Sequence, residues 1–138
     1  MRKLFIVALI VALLATPAGA AILNGSFEDG AYPGGGFGTL SYGAMNLSDW
    51  AVGGNSIDWI DNYWQPAEGS RSIDLSGNGP GALSQQFGTL PGTTYRLTFA
   101  MAGNPDGGDA VKDLRVTALD VGSGDYTFDT TGKTRTAM

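Results

Sequence analysis

The sequence predicts an all-β domain, an antiparallel β-sandwich of jelly-roll type, preceded by a secretory signal peptide. Several short segments alternate apolar with polar side chains, which is the pattern of half-buried strands. The 22 glycines among the 138 residues have no collagen-like period and lie with Pro, Asn and Ser between those segments, as turn residues do. Apolar residues keep helical spacing for no more than about one turn, which argues against a parallel α/β sheet.

The first 20 residues have the three parts of a secretory signal. Arg2 and Lys3 give a positive start, Leu4 to Ala15 form an apolar run, and Ala18-Gly19-Ala20 fits the A-x-A cleavage rule. The run is shorter than the ~20 residues that span a bilayer, which favours a cleaved leader over a membrane anchor. We therefore expect a secreted or cell-surface protein with one domain over residues 21–138 and no membrane span after cleavage.

Eight segments of the mature chain are predicted as strands. The clearest is Thr93 to Met101, where apolar and polar side chains alternate after a Pro91-Gly92 turn. The stretch Ala31 to Ala44 shows no clear alternation and is predicted as a long surface loop. The remaining predicted strands, in chain order, are Ile22–Phe27, Asp49–Val52, Ser56–Ile60, Ser72–Leu75, Ala82–Phe87, Asp113–Leu119 and Tyr126–Phe128.

The last ten or so residues, Asp129 to Met138, are polar and contain no closing apolar strand. One edge of the predicted sandwich would then lack a partner, an arrangement that proteins usually avoid. We therefore expect that C-terminal strands of the domain are missing from this chain. The alternative is a complete small sandwich with a frayed tail.

The composition disfavours several classes of function. The chain has 13 acidic and 8 basic residues, and the leader contains Arg2 and Lys3, so the mature part has 6 basic against 13 acidic residues and a net charge of −7. This charge argues against nucleic acid and anionic membranes as partners. Histidine and cysteine are absent, which removes Ser-His-Asp and Cys-His catalysis, typical zinc sites and disulfides. Paired carboxylates could still hydrolyse glycosides, but no spacing singles out a pair, and we expect no enzyme.

Several motifs occur together and in order along the mature chain. They are Asn24–Gly30 (NGSFEDG), Ser56–Ile60 (SIDWI), Tyr63–Gln65 (YWQ), Glu68–Gly81 (EGSRSIDLSGNGPG), Gln85–Phe87 (QQF), Ala102–Gly108 (AGNPDGG) and Tyr126–Lys133 (YTFDTTGK). With them the chain resembles the choice-of-anchor C family of bacterial exported proteins, related to the plant cell-wall domain of unknown function catalogued as 642. The resemblance implies a galactose-binding-like jelly roll associated with cell walls or extracellular polysaccharide, and it implies no enzyme.

A carbohydrate-binding site is predicted at Trp59, Tyr63, Trp64 and Gln65. These residues lie near the end of a predicted strand, and sugar sites combine flat side chains that stack on the sugar ring with a few polar groups. Trp50 and Trp59 have the alternative of lying in the core, because large aromatic residues dominate burial. Trp64 is expected on the surface. The rim of the site is expected to include Tyr32, Phe37 and Tyr42.

Calcium is the predicted cofactor, as a structural ion, and Glu28 is its predicted ligand. Oxygen ligands suit calcium, and in the sugar-binding sandwiches that this chain resembles the acidic residue of the opening NGxFE segment coordinates calcium. The alternative is that Glu28 and Asp29 only solvate a strand end.

The function predicted from these features is that of a non-catalytic, exported module that binds carbohydrate or associates with the cell wall or extracellular matrix. Its partner would be a polysaccharide or a cell-wall glycan. The alternative is a structural or adhesive surface protein that binds other envelope proteins. No oligomeric state is predicted.

Overall fold

The computed structural model describes residues 21–138; the predicted signal peptide, residues 1–20, lies outside the described residues. Within them the secondary structure comprises seven β-strands and no helix, which confirms the all-β prediction for this part of the chain. It follows that residues 21–138 contain no helix able to cross a membrane. The strands are β1 (Phe37–Ser41), β2 (Ala51–Gly54), β3 (Ser56–Ile60), β4 (Ser72–Asp74), β5 (Gly81–Ser84), β6 (Val111–Ala118) and β7 (Gly122–Asp129).

The strands form three sheets, and all pairs are antiparallel, which confirms the predicted antiparallel pairing. One sheet has three strands in the order β1-β3-β4, the second pairs β2 with β5, and the third is the β6-β7 hairpin. The middle strand β3 is paired on both edges, and four of its five residues are buried. A strand covered on both faces suits the apolar and aromatic residues that β3 contains.

A single large apolar cluster lies between these elements. Ile57 and Trp59 of β3 join it from the three-stranded sheet, Val52 from β2 and Leu114 from β6. Phe99 and Met101 pack against the cluster from the segment that precedes β6. The cluster therefore holds together strands that share no backbone hydrogen bonds.

Six of the predicted strands are present, five of them with shifted ends. Ser56–Ile60 has the predicted bounds, and the strand predicted at Asp49 begins at Ala51 instead. The delay has a local cause, because Asp49 has a φ of 68°, a left-handed backbone that a strand does not accommodate.

The strand predicted at Thr93–Met101 is wrong. Burial follows its sequence alternation only in part, since Phe99 and Met101 pack on the core and Arg96 is exposed, but Leu97, which alternates with them, is 47 % exposed. Within residues 21–138, however, no strand forms a ladder with this segment. Alternation in the sequence is therefore not enough to predict a strand, because a strand also requires an edge to pair with.

Two further predictions fail at the start of the domain. Ile22–Phe27 is a series of turns and bends, because Asn24 and Phe27 have φ values of 48° and 63°. The loop predicted at Ala31–Ala44 contains β1, whose only buried side chain is Leu40. A strand with one buried residue gives no recognisable alternation.

We predict that Leu114→Ala lowers the free energy of unfolding by about 2–5 kcal/mol, because it leaves a cavity where the β6-β7 hairpin meets the core. Leu114 is 2 % exposed, whereas Leu119 at the tip of the same hairpin is 84 % exposed. Leu119→Ala is therefore the matched control, with an expected change within about 0.5 kcal/mol. Urea unfolding measures both, and equal effects would show that the hairpin does not belong to the core.

Candidate functional site

The candidate site lies at one end of the three-stranded sheet. Phe37 at the start of β1 is opposite Ile60 at the end of β3, and Ile60 is in turn opposite Ser72 at the start of β4. The three strand ends therefore lie side by side. The segments that precede β1, follow β3 and precede β4 leave the sheet at this end. We call residues 28–36 and 61–71 the loop end.

Arg71 connects three segments at the loop end. Its guanidinium carbon is 4.5 Å from the ring centroid of Tyr32 and 4.8 Å from that of Trp59. Its Nη1 donates a hydrogen bond to the backbone carbonyl of Glu28 (3.0 Å). The buried Nε has no hydrogen-bond partner among the described residues, and the attraction of the cation to the two rings offsets this loss. We call Arg71, Tyr32, Trp59 and Glu28 the arginine clamp.

The carboxylate of Glu28 fixes the loop that carries Arg71. Its Oε1 accepts the backbone N–H groups of Ser70 (2.8 Å) and Arg71 (2.9 Å), and its Oε2 accepts the hydroxyl of Ser70 (2.7 Å). The preceding Gly69 has a φ of 64°, and a Cβ there would collide with this carboxylate. Glycine is therefore required at this position for conformation and for space.

The same contacts set the charge state of Glu28. Partial burial raises the pKa of its carboxyl group, but the hydrogen bonds from Ser70 and Arg71 and the charge of Arg71 lower it, and the net result is a pKa below the ordinary value of 4.5. Glu28 is therefore an anion that stabilises the loop end.

The contacts of Glu28 do not resemble a calcium shell, because its partners are N–H and O–H donors and a cationic arginine instead of oxygen ligands. Among residues 21–138, no group of three or more acidic side chains is placed to hold a metal ion. Calcium binding at Glu28 stays a prediction, which calorimetric titration of the wild-type and Glu28→Gln chains tests.

Trp59 lies in the core, which was the alternative to its predicted place in the carbohydrate site. It is 0 % exposed, its indole N–H donates to the carbonyl of Phe27 (2.9 Å), and Tyr32 contacts its ring edge-on at 5.2 Å. Trp50, the other residue with this alternative, is half-buried against the same cluster and donates to the carbonyl of Asn24 (2.9 Å). Trp59 thus ties the opening motif to β3, and Trp50 ties it to the chain immediately before β2.

The prediction that Trp64 lies on the surface is wrong. It is 5 % exposed, packs with Ile60, and its indole nitrogen donates to Asp106 Oδ2 (3.2 Å). Met138 packs against the same pair. Two of the residues that contact Trp64, Asp106 and Met138, come from distant parts of the chain, and the neighbouring sequence contains no signal of these contacts.

Beside Trp64 lies a partly exposed group of side chains, which we call the aromatic patch: Phe37, Tyr63, Gln65 and Arg135. The rings of Phe37 and Tyr63 are in edge contact at 5.2 Å, and the guanidinium of Arg135 lies 4.1 Å from the Tyr63 centroid. The backbone N–H of Gln65 donates to the carbonyl of Arg135 (2.8 Å). The structure thus brings two predicted site residues, Tyr63 and Gln65, together with the predicted rim residue Phe37 and with Arg135, which was not predicted.

The charge of Arg135 is neutralised within this surface. Its Nε donates to both carboxylate oxygens of Asp106, at 3.0 and 2.8 Å. Arg135 packs against the Tyr63 ring, and Phe37 is the more exposed of the two rings, at 45 %. The side chains of Gln65 and Asn62 are exposed nearby. An open ring with neutral amides beside it can stack on a sugar ring and hydrogen-bond its hydroxyl groups.

The three residues predicted at the rim are separated in the structure. Phe37 belongs to the aromatic patch and Tyr32 to the arginine clamp. Tyr42 is 76 % exposed at the opposite end of β1, where its N–H donates to the carbonyl of Asn55 (3.1 Å). Arg135 and Asp106 were missed, because nothing near either residue in the sequence marks it as a neighbour of Tyr63.

Comparison with known proteins gives one family and one relative. The sequence profile of a family described as a protein of unknown function, DUF642, matches residues 20–137. Halomucin of Haloquadratum walsbyi is 31 % identical over 147 aligned residues, which include 91 % of this chain and 2 % of halomucin. The chain thus spans about 2 % of the length of this relative. No solved structure matches. The predicted relation to domain 642 is confirmed, and the narrower choice-of-anchor C assignment stays a prediction.

We predict that Glu28→Gln lowers the free energy of unfolding by about 1–2 kcal/mol at neutral pH, because the loop loses a charged acceptor of three hydrogen bonds. Since folding lowers the pKa of Glu28, its stabilisation is complete above the ordinary pKa of 4.5 and is lost as the pH falls through the lowered value. The difference between wild type and variant should therefore shrink below pH 4.5.

Urea unfolding across this pH range checks the prediction. Glu68→Gln is the control, because Glu68 is an exposed glutamate of the same loop. A deficit of Glu28→Gln that is the same at acidic and neutral pH would show that the negative charge of Glu28 is not what stabilises the loop.

Proposed function

We propose that this chain, which belongs to the DUF642 family of proteins of unknown function, is an exported, non-catalytic module that binds a cell-wall or other extracellular polysaccharide. The proposal is based on the aromatic patch. The observation that carries the proposal is the Phe37 ring, 45 % exposed and in contact with Tyr63. It lies at the start of a paired strand and not on a free loop, so its position is set by the sheet.

A binding role without catalysis agrees with the chemistry of the loop end. At the loop end Glu28 is held by Ser70 and Arg71, and beside the aromatic patch Asp106 is held by Arg135 and Trp64. A glycosidase needs a carboxyl group with a raised pKa as its general acid, whereas the pKa of Glu28 is lowered. The chain also has no histidine or cysteine that could replace it.

The proposal includes a jelly-roll sandwich, export through the leader at residues 1–20 and placement in the choice-of-anchor C group. The antiparallel sheets around one apolar cluster support the sandwich. The similarity to halomucin supports a location outside the cell or at its surface.

A structural or adhesive role toward other envelope proteins is the second candidate function. It is favoured by an open apolar groove of about 460 Å³ between residues 97–101 and β7. Leu97 and Tyr126 in this groove are 47 % and 45 % exposed, and the rings of Phe99 and Tyr126 are in edge contact at 5.0 Å. Contiguous exposed apolar surface is typical of protein contact sites.

We predict that Phe37→Ala weakens retention on a polysaccharide affinity gel several-fold, because it removes the exposed ring that stacks on the sugar. Tyr42→Ala is the matched control, since Tyr42 is an exposed aromatic residue at the other end of the same strand. Equal thermal unfolding of the two variants would show that both are folded. Undiminished retention of Phe37→Ala would remove the aromatic patch from the site.

Glycan arrays separate the two candidate functions. A defined sugar signal that Phe37→Ala loses supports carbohydrate binding. No sugar signal, together with capture of an envelope protein that Leu97→Asp abolishes, supports the adhesive function.

A further inference from the structure

The chain contains two Asn-Gly sequences, Asn24-Gly25 and Asn78-Gly79. In such a pair the backbone nitrogen of the glycine can attack the side-chain amide carbon of the asparagine, because glycine has no side chain to hinder the approach and its backbone rotates freely. Asparagine is for this reason a thermolabile residue. The two sites differ sharply in how the fold holds the asparagine.

The amide of Asn24 is fixed by three hydrogen bonds. Its Nδ2 donates to the carbonyls of Asp29 (2.9 Å) and Ser48 (2.8 Å), and its Oδ1 accepts the N–H of Asp29 (3.0 Å). Attack by Gly25 would require the amide to leave all three partners. The fold therefore protects Asn24, and local opening must precede any reaction there.

Asn78 is in the opposite situation. It lies at the tip of a three-residue turn closed by the bridge between Ser76 and Pro80, and it is exposed. Its backbone N–H donates to Ser56 Oγ (2.8 Å), which anchors the turn. No hydrogen bond joins its side-chain amide to any of residues 21–138. The amide carbon is thus free to turn toward the nitrogen of Gly79.

We infer that Asn78 is a site of spontaneous deamidation in the folded protein. The nitrogen of Gly79 loses its proton and bonds to Cγ of Asn78, and the side-chain nitrogen leaves as ammonia, which gives a cyclic imide. One water molecule then opens the ring at either carbonyl carbon, which gives aspartate or isoaspartate. No oxidant or reductant takes part, and each event adds one negative charge.

The turn that contains Asn78 has little room for the product. It connects β4 of the three-stranded sheet to β5 of the two-stranded sheet. A Cβ on Gly77 would lie 2.8 Å from Ser56 Oγ and 2.9 Å from Asp58 Oδ1, and one on Gly79 would lie 3.1 Å from Asn55 Cγ. Isoaspartate lengthens the backbone within this turn, so the modified protein should be less stable.

The experiment is incubation of the folded chain at mildly alkaline pH, followed by peptide mapping with mass spectrometry. The peptide with Asn78 should gain the mass of an amide-to-acid conversion roughly tenfold or more faster than the peptide with Asn24, because three hydrogen bonds protect the latter. In concentrated urea the two peptides should convert at similar rates. Similar rates in the folded chain, or the same strong preference for Asn78 in urea, would overturn the inference.

A second measurement tests the consequence for stability. Ion exchange separates the more acidic, deamidated chain from the starting material, and urea unfolding compares the two. The deamidated chain should unfold at lower urea. An unchanged midpoint would overturn the claim that the turn cannot accommodate the product.

Discussion

The packing of the Arg71 guanidinium against the rings of Tyr32 and Trp59 is the interaction on which the loop end depends. A charge in apolar surroundings is costly unless it is compensated. Here two ring faces, the carbonyl of Glu28 and the nearby Glu28 carboxylate provide the compensation. Arg71, the residue immediately before β4, thereby contacts the opening motif at Glu28, the chain before β1 at Tyr32, and β3 at Trp59.

Local sequence patterns predicted six of the seven strands of residues 21–138 but not which strands pair. The segment Ser56–Ile60 was predicted from its sequence pattern and has the predicted bounds in the structure, where four of its five residues are buried. The segment Thr93–Met101 has stronger alternation but forms no ladder with any strand of residues 21–138. Pairing depends on an edge elsewhere in the chain, which Ser56–Ile60 has on both sides and Thr93–Met101 lacks within residues 21–138. Alternation in the sequence does not report this difference.

The candidate site was likewise predicted only in part. Tyr63 and Gln65 were predicted because aromatic and amide residues lie together in the sequence, and the structure brings both into one surface with Phe37. Trp64 was predicted on the surface from the same sequence but is buried, and its partner Asp106 is 42 residues away, where the neighbouring sequence gives no sign of it. The NGSFE motif marked Glu28 as important, but only the folded chain shows that its carboxylate binds Ser70 and Arg71.

A double-mutant cycle between Glu28→Gln and Arg71→Met tests this arrangement most directly. If the carboxylate and the guanidinium act through one clamp, the losses in free energy of unfolding should be non-additive, with a coupling of about 1–2 kcal/mol. Losses that add to within about 0.5 kcal/mol would contradict the account, because the two residues would then stabilise the loop end independently.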